Sequence, residues 1–186
     1  MTMRDAVTLA DTLRDAGLYA LPCACANVRR LARVMTRRYD AALKPAGLEV
    51  TQFSLLSVLA VGGDATHGVL NRGFAMDSTT LTRTLALMAS RGWIAAASGP
   101  DRRTRVYRIT AAGRRRVEQA RPYWRRAQRD IAASVGAPAW TTLLHDAPAM
   151  TATIDVGAPR RAQTGRRRRL SGVSRRARPG SRGGPS

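Results

Sequence analysis

Residues 77–83 read Asp-Ser-Thr-Thr-Leu-Thr-Arg. The Asp77 carboxylate can accept bonds from the backbone N–H groups of Thr79 or Thr80, which makes it a helix N-cap. The cap places Ser78, Thr79, Thr80, Thr82 and Arg83 at the exposed start of a helix. Short polar side chains and an arginine at that place suit the edges of DNA bases: a threonine can hydrogen-bond an edge or touch a thymine methyl, and an arginine can grip guanine bidentately or bind phosphate. A plainer use is open to the same residues, with Ser78 and Thr79 completing the cap and Thr82 solvated. A second basic group follows in Gly-Pro-Asp-Arg-Arg-Thr-Arg-Val-Tyr-Arg, residues 99–108. Arg105 and Arg108 there are suited to phosphate contacts, which position a protein without specifying sequence. Asp101 can brace the turn by pairing with Arg102 or Arg103.

Other chemistry finds little support. No nucleophile–base–acid set, no paired carboxylates and no Gly-rich phosphate loop can be assembled, and Ser54 and Ser57 have no His and Asp to serve them, so the chain does not read as an enzyme. His67 and His145 are isolated and read as structural or solvated. Cys23 and Cys25 lack the C-x-x-C spacing of redox and zinc sites, and nothing supplies a four-ligand set, so no metal and no cofactor is expected. Either thiol could sense oxidants if the helix N-terminus and Arg29 lowered its pKa. Either could equally be a small buried hydrophobe.

The 186 residues carry a formal net charge of +20 with 44% hydrophobic and 5% aromatic residues. That composition allows an aliphatic, helical core, and the charge steers the chain towards polyanions, nucleic acid first. No apolar run approaches the roughly 20 residues that a bilayer span needs. Asp5, Asp11 and Asp15 stand where a secretory leader would be basic and then apolar, so no membrane association and a cytoplasmic location are expected.

Periodicity and punctuation give the elements that must hold the two basic groups. Residues 1–17 form a short helix within an N-terminal extension, residues 1–22, and Pro22 suits a helix start. From residue 23 to 43 an apolar set of Cys25, Val28, Leu31, Ala32, Met35, Tyr39 and Ala42 recurs at helical spacing, with arginines between, until Pro45 and Gly47 stop it. Thr51 caps a second helix closed by Gly62 and Gly63. Residues 66–75 form a short third helix weakened by Gly68 and Gly73, each costing about 1 kcal/mol against alanine. The fourth helix follows Asp77, turns Leu81, Leu85 and Met88 inward and ends at Arg91 and Gly92. Residues 93–97 and 104–109 are two strands, Val106 alternating with polar neighbours on the second, joined by the turn at 98–103. Thr110 opens a long helix to about residue 134 in which Pro122 predicts a kink or break. A last helix covers 138–154, against the preference of Pro148. Residues 157–186 contain no acidic residue and are dominated by Arg, Gly, Ser and Pro, which predicts a disordered basic tail.

A helix followed directly by an arginine-tipped hairpin is the arrangement of a winged helix-turn-helix. In its pieces the chain resembles the MarR-type transcriptional regulators. These are C-A-C-A-N-V-R-R-L-A-R near the start, G-L-E-V-T-Q-F-S-L-L at 47–56, M-D-S-T-T-L-T-R at 76–83, and R-G-W-I with D-R-R-T-R-V-Y-R-I-T-A-A-G across 91–113. It departs from them at T-H-G-V-L-N-R-G-F-A, where Asn71 stands in place of a small apolar residue, and in the arginine-rich tail. The resemblance implies a mainly α (α+β) fold with a small β-hairpin wing, and N- and C-terminal helices that form a dimerisation region. The domain would span 23–156, with a DNA-binding lobe about 48–110 and dimerisation helices about 23–45 and 110–155. It further implies a homodimer on double-stranded DNA, one of Arg102 and Arg103 entering the minor groove while the other braces the turn, and a repressor released by a small lipophilic or phenolic effector. Some relatives respond to oxidants through an N-terminal cysteine, which adds Cys23 and Cys25 as candidates. The competing expectation is a non-specific nucleic-acid-binding protein acting through its tail.

Overall fold

In the computed structural model, residues 23–99 and 104–157 are described. The helix expected at 1–17, Pro22, the turn residues 100–103 and the tail beyond residue 157 lie outside them. The order is α1 (Ala24–Leu43), a short 3-10 turn (Lys44–Ala46), α2 (Val50–Gly62), β1 (Ala65–Thr66), α3 (His67–Phe74), α4 (Ser78–Ser90), β2 (Ile94–Ser98), β3 (Arg105–Ile109), α5 (Ala111–Val135) and α6 (Ala137–Gly157). No single helix among the described residues is long and apolar enough to cross a membrane. Among the described residues, those up to Thr141 form one compact unit and 142–157 belong to a second.

The helix ends follow local chemistry. Gly47 and Gly92 both adopt left-handed backbone, with φ of 63° and 68°. At Gly92 the amide donates to the Ala89 carbonyl at 2.9 Å and the Trp93 amide to the Met88 carbonyl at 3.0 Å. This paired 5→2 and 6→1 arrangement satisfies the last carbonyls of α4 and turns the chain into β2. The start of α2 differs from the expected Thr51 cap. Helix α2 begins at Val50 with Glu49 as N-cap. The Gln52 side chain accepts from the Glu49 amide and donates to the Glu49 carboxylate, both at 3.3 Å. The Val50 amide donates to Asp40 Oδ1 of α1 at 2.7 Å, so a residue ten positions away supplies what the local sequence does not.

Helix α2 lies at the centre. Phe53, Leu55, Leu56 and Leu59 are buried on more than one of its faces, as a helix enclosed by neighbours requires. Leu43 of α1, Leu70 of α3, Leu81, Leu85 and Met88 of α4, and Val117 and Ala120 of α5 close around it. The sheet is antiparallel in the order β1–β3–β2. Two of its strands were expected. The third, β1, is only two residues long and sets Ala65 opposite Tyr107 and Thr66 opposite Val106. On β3 the inward residues are Tyr107 and Ile109, whereas Val106 is half-buried, which shifts the expected alternation by one position. Helix α5 runs through Pro122 without a break. A proline removes one backbone hydrogen bond. Here the turns on either side are held by packing, with Val117 and Ala120 in the core and Trp124 against Phe53 at 5.7 Å between ring centroids.

Most of the apolar set that recurs at helical spacing on α1 is exposed in the single chain. Tyr39 is buried, donating from its hydroxyl to Gln128 Oε1 at 2.6 Å, and burial raises its pKa. Val28 and Leu31 remain 62% and 42% exposed, and both cysteines are exposed.

The joint between β2 and α5 has no slack. A Cβ at Gly113 would lie 2.1 Å from the Trp93 carbonyl oxygen and 2.8 Å from Ile109 Cγ1. Replacing Gly113 with alanine should therefore force the two apart and destabilise the protein by about 3 kcal/mol or more, read as a lower midpoint in urea unfolding.

Candidate nucleic-acid interface

The exposed surface of α3 and α4 is built by three side chains that fix backbone. Thr66 caps α3 by accepting from the Val69 amide at 3.2 Å. Asp77 Oδ1 accepts from the Thr79 and Thr80 amides at 2.9 and 3.1 Å, as expected, and also from the Thr80 hydroxyl at 3.4 Å. Between the helices, Ala75 takes left-handed backbone at φ 47°, and the Asn71 side chain donates to the Met76 carbonyl at 2.6 Å. Asn71 thus replaces apolar packing with a hydrogen bond across the turn. Helix α3 forms despite Gly68 and Gly73 because Leu70 is fully buried and Phe74 packs on the core.

The five residues singled out on α4 divide by what their side chains already do. Thr80 is drawn into the Asp77 cap. Thr82 Oγ1 donates to the Ser78 carbonyl at 2.8 Å and lies 3.1 Å from His67 Nε2. Ser78, Thr79 and Arg83 are exposed, and among the described residues their side chains have no hydrogen-bond or ion-pair partner. Arg83 is therefore a guanidinium held on a capped helix with no partner for its donors among the described residues.

On the hairpin, Arg105 opens β3 opposite Ser98, exposed and likewise without a partner among the described residues. Arg102 and Arg103 lie outside the described residues. Arg108 is engaged differently from the phosphate role first suggested for it. Its Nε donates to Asp64 Oδ1 and Oδ2 at 2.9 and 3.0 Å and its Nη2 to Oδ2 at 2.5 Å. This two-pronged pair ties β3 to the residue before β1, 44 positions away, and no local pattern announces it. Other arginines are also engaged with the protein itself. Arg114 and Arg116 donate to the Ala60 and Ala46 carbonyls, and the guanidinium groups of Arg91 and Arg116 lie 4.9 and 5.6 Å from the Trp93 ring centroid.

Away from this surface, α2 and α5 enclose a cleft of about 210 Å³ lined by Phe53, Ser57, Val61, Val117, Arg121 and Trp124. Arg121 Nη2 donates to Glu118 Oε1 at 2.6 Å, while its Nε is buried without a partner among the described residues. No sequence motif marks this cleft, since its residues are scattered over two helices. Cys23 and Cys25 sit at the start of α1, and no cluster of potential metal ligands occurs among the described residues.

The family profile of the MarR family matches residues 46–104. The M. tuberculosis transcriptional regulator MosR, solved in complex with DNA, is 35% identical and superposes with a TM-score of 0.66 over 74% of this chain and 99% of its own. Solved without DNA, MosR gives 36% identity and a TM-score of 0.63 over 73% and 97% of the two chains. The Bacillus subtilis (strain 168) HTH-type transcriptional regulator YwoH is 25% identical over 93 residues, 50% of this chain and 68% of that protein. MarR from E. coli, at 20% identity and a TM-score of 0.56 over 70% of this chain and 98% of its own, shares the fold.

The Asp64–Arg108 pair carries a pH signature. Hydrogen bonds from Arg108, aided by its charge and opposed by weaker desolvation, hold the Asp64 carboxyl below its ordinary value. A folded-state value below the unfolded one means that the pair favours folding above the ordinary carboxylate range and loses that contribution as pH falls through the lowered value. An NMR titration should find the Asp64 midpoint below those of solvated carboxylates, and Arg108→Ala should return it to the ordinary range.

Proposed function

The chain belongs to the MarR family of transcriptional regulators, and on that premise we propose that it is a sequence-specific, homodimeric DNA-binding repressor. The single observation that carries this reading is the exposed Arg83 guanidinium, without a partner among the described residues. It stands beside Ser78 and Thr79 on a helix whose start is fixed by Asp77, while Arg91, Arg108, Arg114 and Arg116 are engaged within the protein. An arginine so placed can take guanine O6 and N7 in the major groove. Arg105, beside the loop end of the hairpin, would hold phosphate, and Arg102 or Arg103 in that loop would enter the minor groove, whose narrow stretches concentrate negative potential. Thr80 and Thr82 belong to the same surface as supports.

In this reading residues 48–110 are the DNA-binding lobe, and 23–45 with 110–155 form the dimerisation region. The uncovered Val28, Leu31 and Val34 on α1, and separately the exposed Leu144, Met150 and Ile154 on α6, are apolar positions that a second copy would cover. The cleft between α2 and α5 suits a small lipophilic or phenolic acid, with an aromatic and aliphatic wall for its body and the unsatisfied Arg121 Nε for its anionic oxygen. Such an effector would release DNA by favouring a spacing of the two α4 helices that does not fit the duplex. Oxidation at the exposed Cys23 or Cys25 is the other signal open to this chain. The basic tail, 157–186, would strengthen binding to any sequence by displacing counterions.

Salt-dependent binding to genomic fragments tests the reading. Full-length protein should bind selected fragments tightly. Arg83→Ala should lower that affinity by about 1–3 kcal/mol and relax the preference. Removal of 157–186 should flatten the salt slope and keep the preference. Binding that vanishes with the tail and ignores Arg83→Ala would instead mean a general polyanion binder. Leu31→Glu should shift the protein to monomer in sedimentation, since a charge cannot be buried unpaired in an apolar interface.

A further inference from the structure

The chemistry of Thr82 is narrower than that of a free threonine, and His67 is the reason. A hydroxyl has one hydrogen to give. In Thr82 the shortest contact, 2.8 Å to the Ser78 carbonyl, takes it. The 3.1 Å contact to His67 Nε2 is then made with the imidazole N–H donating and the hydroxyl oxygen accepting. The oxygen is held on both counts, along its own helix and towards the first residue of α3, fifteen positions earlier. It has no hydrogen left for a base acceptor such as guanine O6 or thymine O4. What the exposed Thr82 still offers outward is its γ-methyl group.

Building on the reading of α4 as the major-groove helix, we propose that His67 is a positioning residue that makes Thr82 an apolar reader. Thr82 selects a thymine in each half-site through the C5-methyl group, not through a hydrogen bond. A thymine methyl against a threonine methyl is an accepted mode of direct readout. It differs from hydrogen-bond readout in one decisive respect, since the methyl is the only group that uracil lacks. His67 acts through Thr82, and its role is to keep the hydroxyl turned away from the groove.

The test uses the full chain and a duplex selected by that chain from a random-sequence pool, with each thymine replaced in turn by deoxyuridine. In the wild type, one thymine per half-site should matter, its replacement weakening binding by about fourfold, the scale of one buried methyl. Thr82→Ser keeps the hydroxyl and removes the methyl, and should abolish the difference between thymine and uracil at that position. Thr82→Val keeps a methyl at the same place without the hydroxyl, and should retain it. His67→Ala should reduce the discrimination, and His67→Gln, which restores an N–H donor, should recover it. A purely structural histidine would change overall affinity and leave the thymine-to-uracil ratio alone.

Discrimination that survives in Thr82→Ser, or is lost in Thr82→Val, would overturn the proposal, since a group other than the Thr82 methyl would then be reading the thymine methyl. If Arg83→Ala weakens the selected duplex while no uracil substitution affects the wild type, the Thr82 inference falls and the placement of α4 stands. If the pool yields no preferred sequence, or Arg83→Ala has no effect on it, the placement of α4 fails and the Thr82 inference with it.

Discussion

The approach of α5 to the carbonyl of Trp93 is the constraint on which the DNA-facing side of the protein depends. Four elements meet there. Helix α4 ends three residues earlier, at Ser90, and its last carbonyls are satisfied by the Gly92 and Trp93 amides. Strand β2 leaves from Trp93, and the Thr110 amide at the end of β3 donates back to the Trp93 carbonyl at 3.0 Å. The Thr110 hydroxyl lies 2.7 and 3.0 Å from the Gly92 and Trp93 carbonyls and accepts from the Gly113 amide at 3.1 Å, so the cap of α5 is also the clasp of the hairpin. Only a residue without a side chain fits at position 113. Because the hairpin is pinned at its base to the end of α4, the direction in which Arg105 leaves the sheet is set relative to Arg83. Two arginines at a fixed separation can address one duplex, whereas two on independent segments would each lose orientational freedom on binding.

Electrostatics gives the same surface a second logic. A net charge of +20 would be a poor guide to function if every arginine were equivalent. They are not. Arg91 and Arg116 cover the Trp93 ring, Arg108 is locked to Asp64, and Arg114 and Arg116 hold backbone carbonyls. These groups are tied to other parts of the lobe, whereas Arg83 and Arg105, on the α4 and hairpin surface, have no partner among the described residues. An internally bonded guanidinium resists reorientation towards phosphate, because leaving its partner costs about as much as a new contact gains.

What the sequence displayed was the set of features encoded within a few residues. Asp77, Thr110 and Gly92 each announced a helix end, and Leu81, Leu85 and Met88 announced the buried face of α4, because caps and helical periodicity are local. Features made by distant partners were silent. Glu49 starts α2 because Asp40 reaches its first amide. Strand β1 exists only through its pairing with Tyr107 and Val106, and two residues carry no period to detect. Pro122 reads as a breaker until the packing of Val117, Ala120 and Trp124 is seen to hold the helix on both sides. Of the candidate site, the positions of Ser78, Thr79 and Arg83 were legible, and the separation of roles among the threonines was not. It depends on His67, whose histidine in isolation looks structural. Arg108 likewise reads as a phosphate ligand until Asp64 is found against it.

The same joint bears on how a signal could reach the DNA-facing surface. The first turn of α5 cannot move independently of α4, since Gly113 and Thr110 bind it to Trp93. Two turns further along, Val117, Arg121 and Trp124 of the same helix line the cleft against α2. A molecule wedged there would meet a helix anchored at one end, and the motion left to it is a tilt about that end. Tilting changes the direction of the distal part of α5, which in the proposed dimer carries the partner, while α4 and the hairpin stay fixed to each other. The response available to this architecture is thus a change in the spacing between two intact reading heads, with no unfolding of either one.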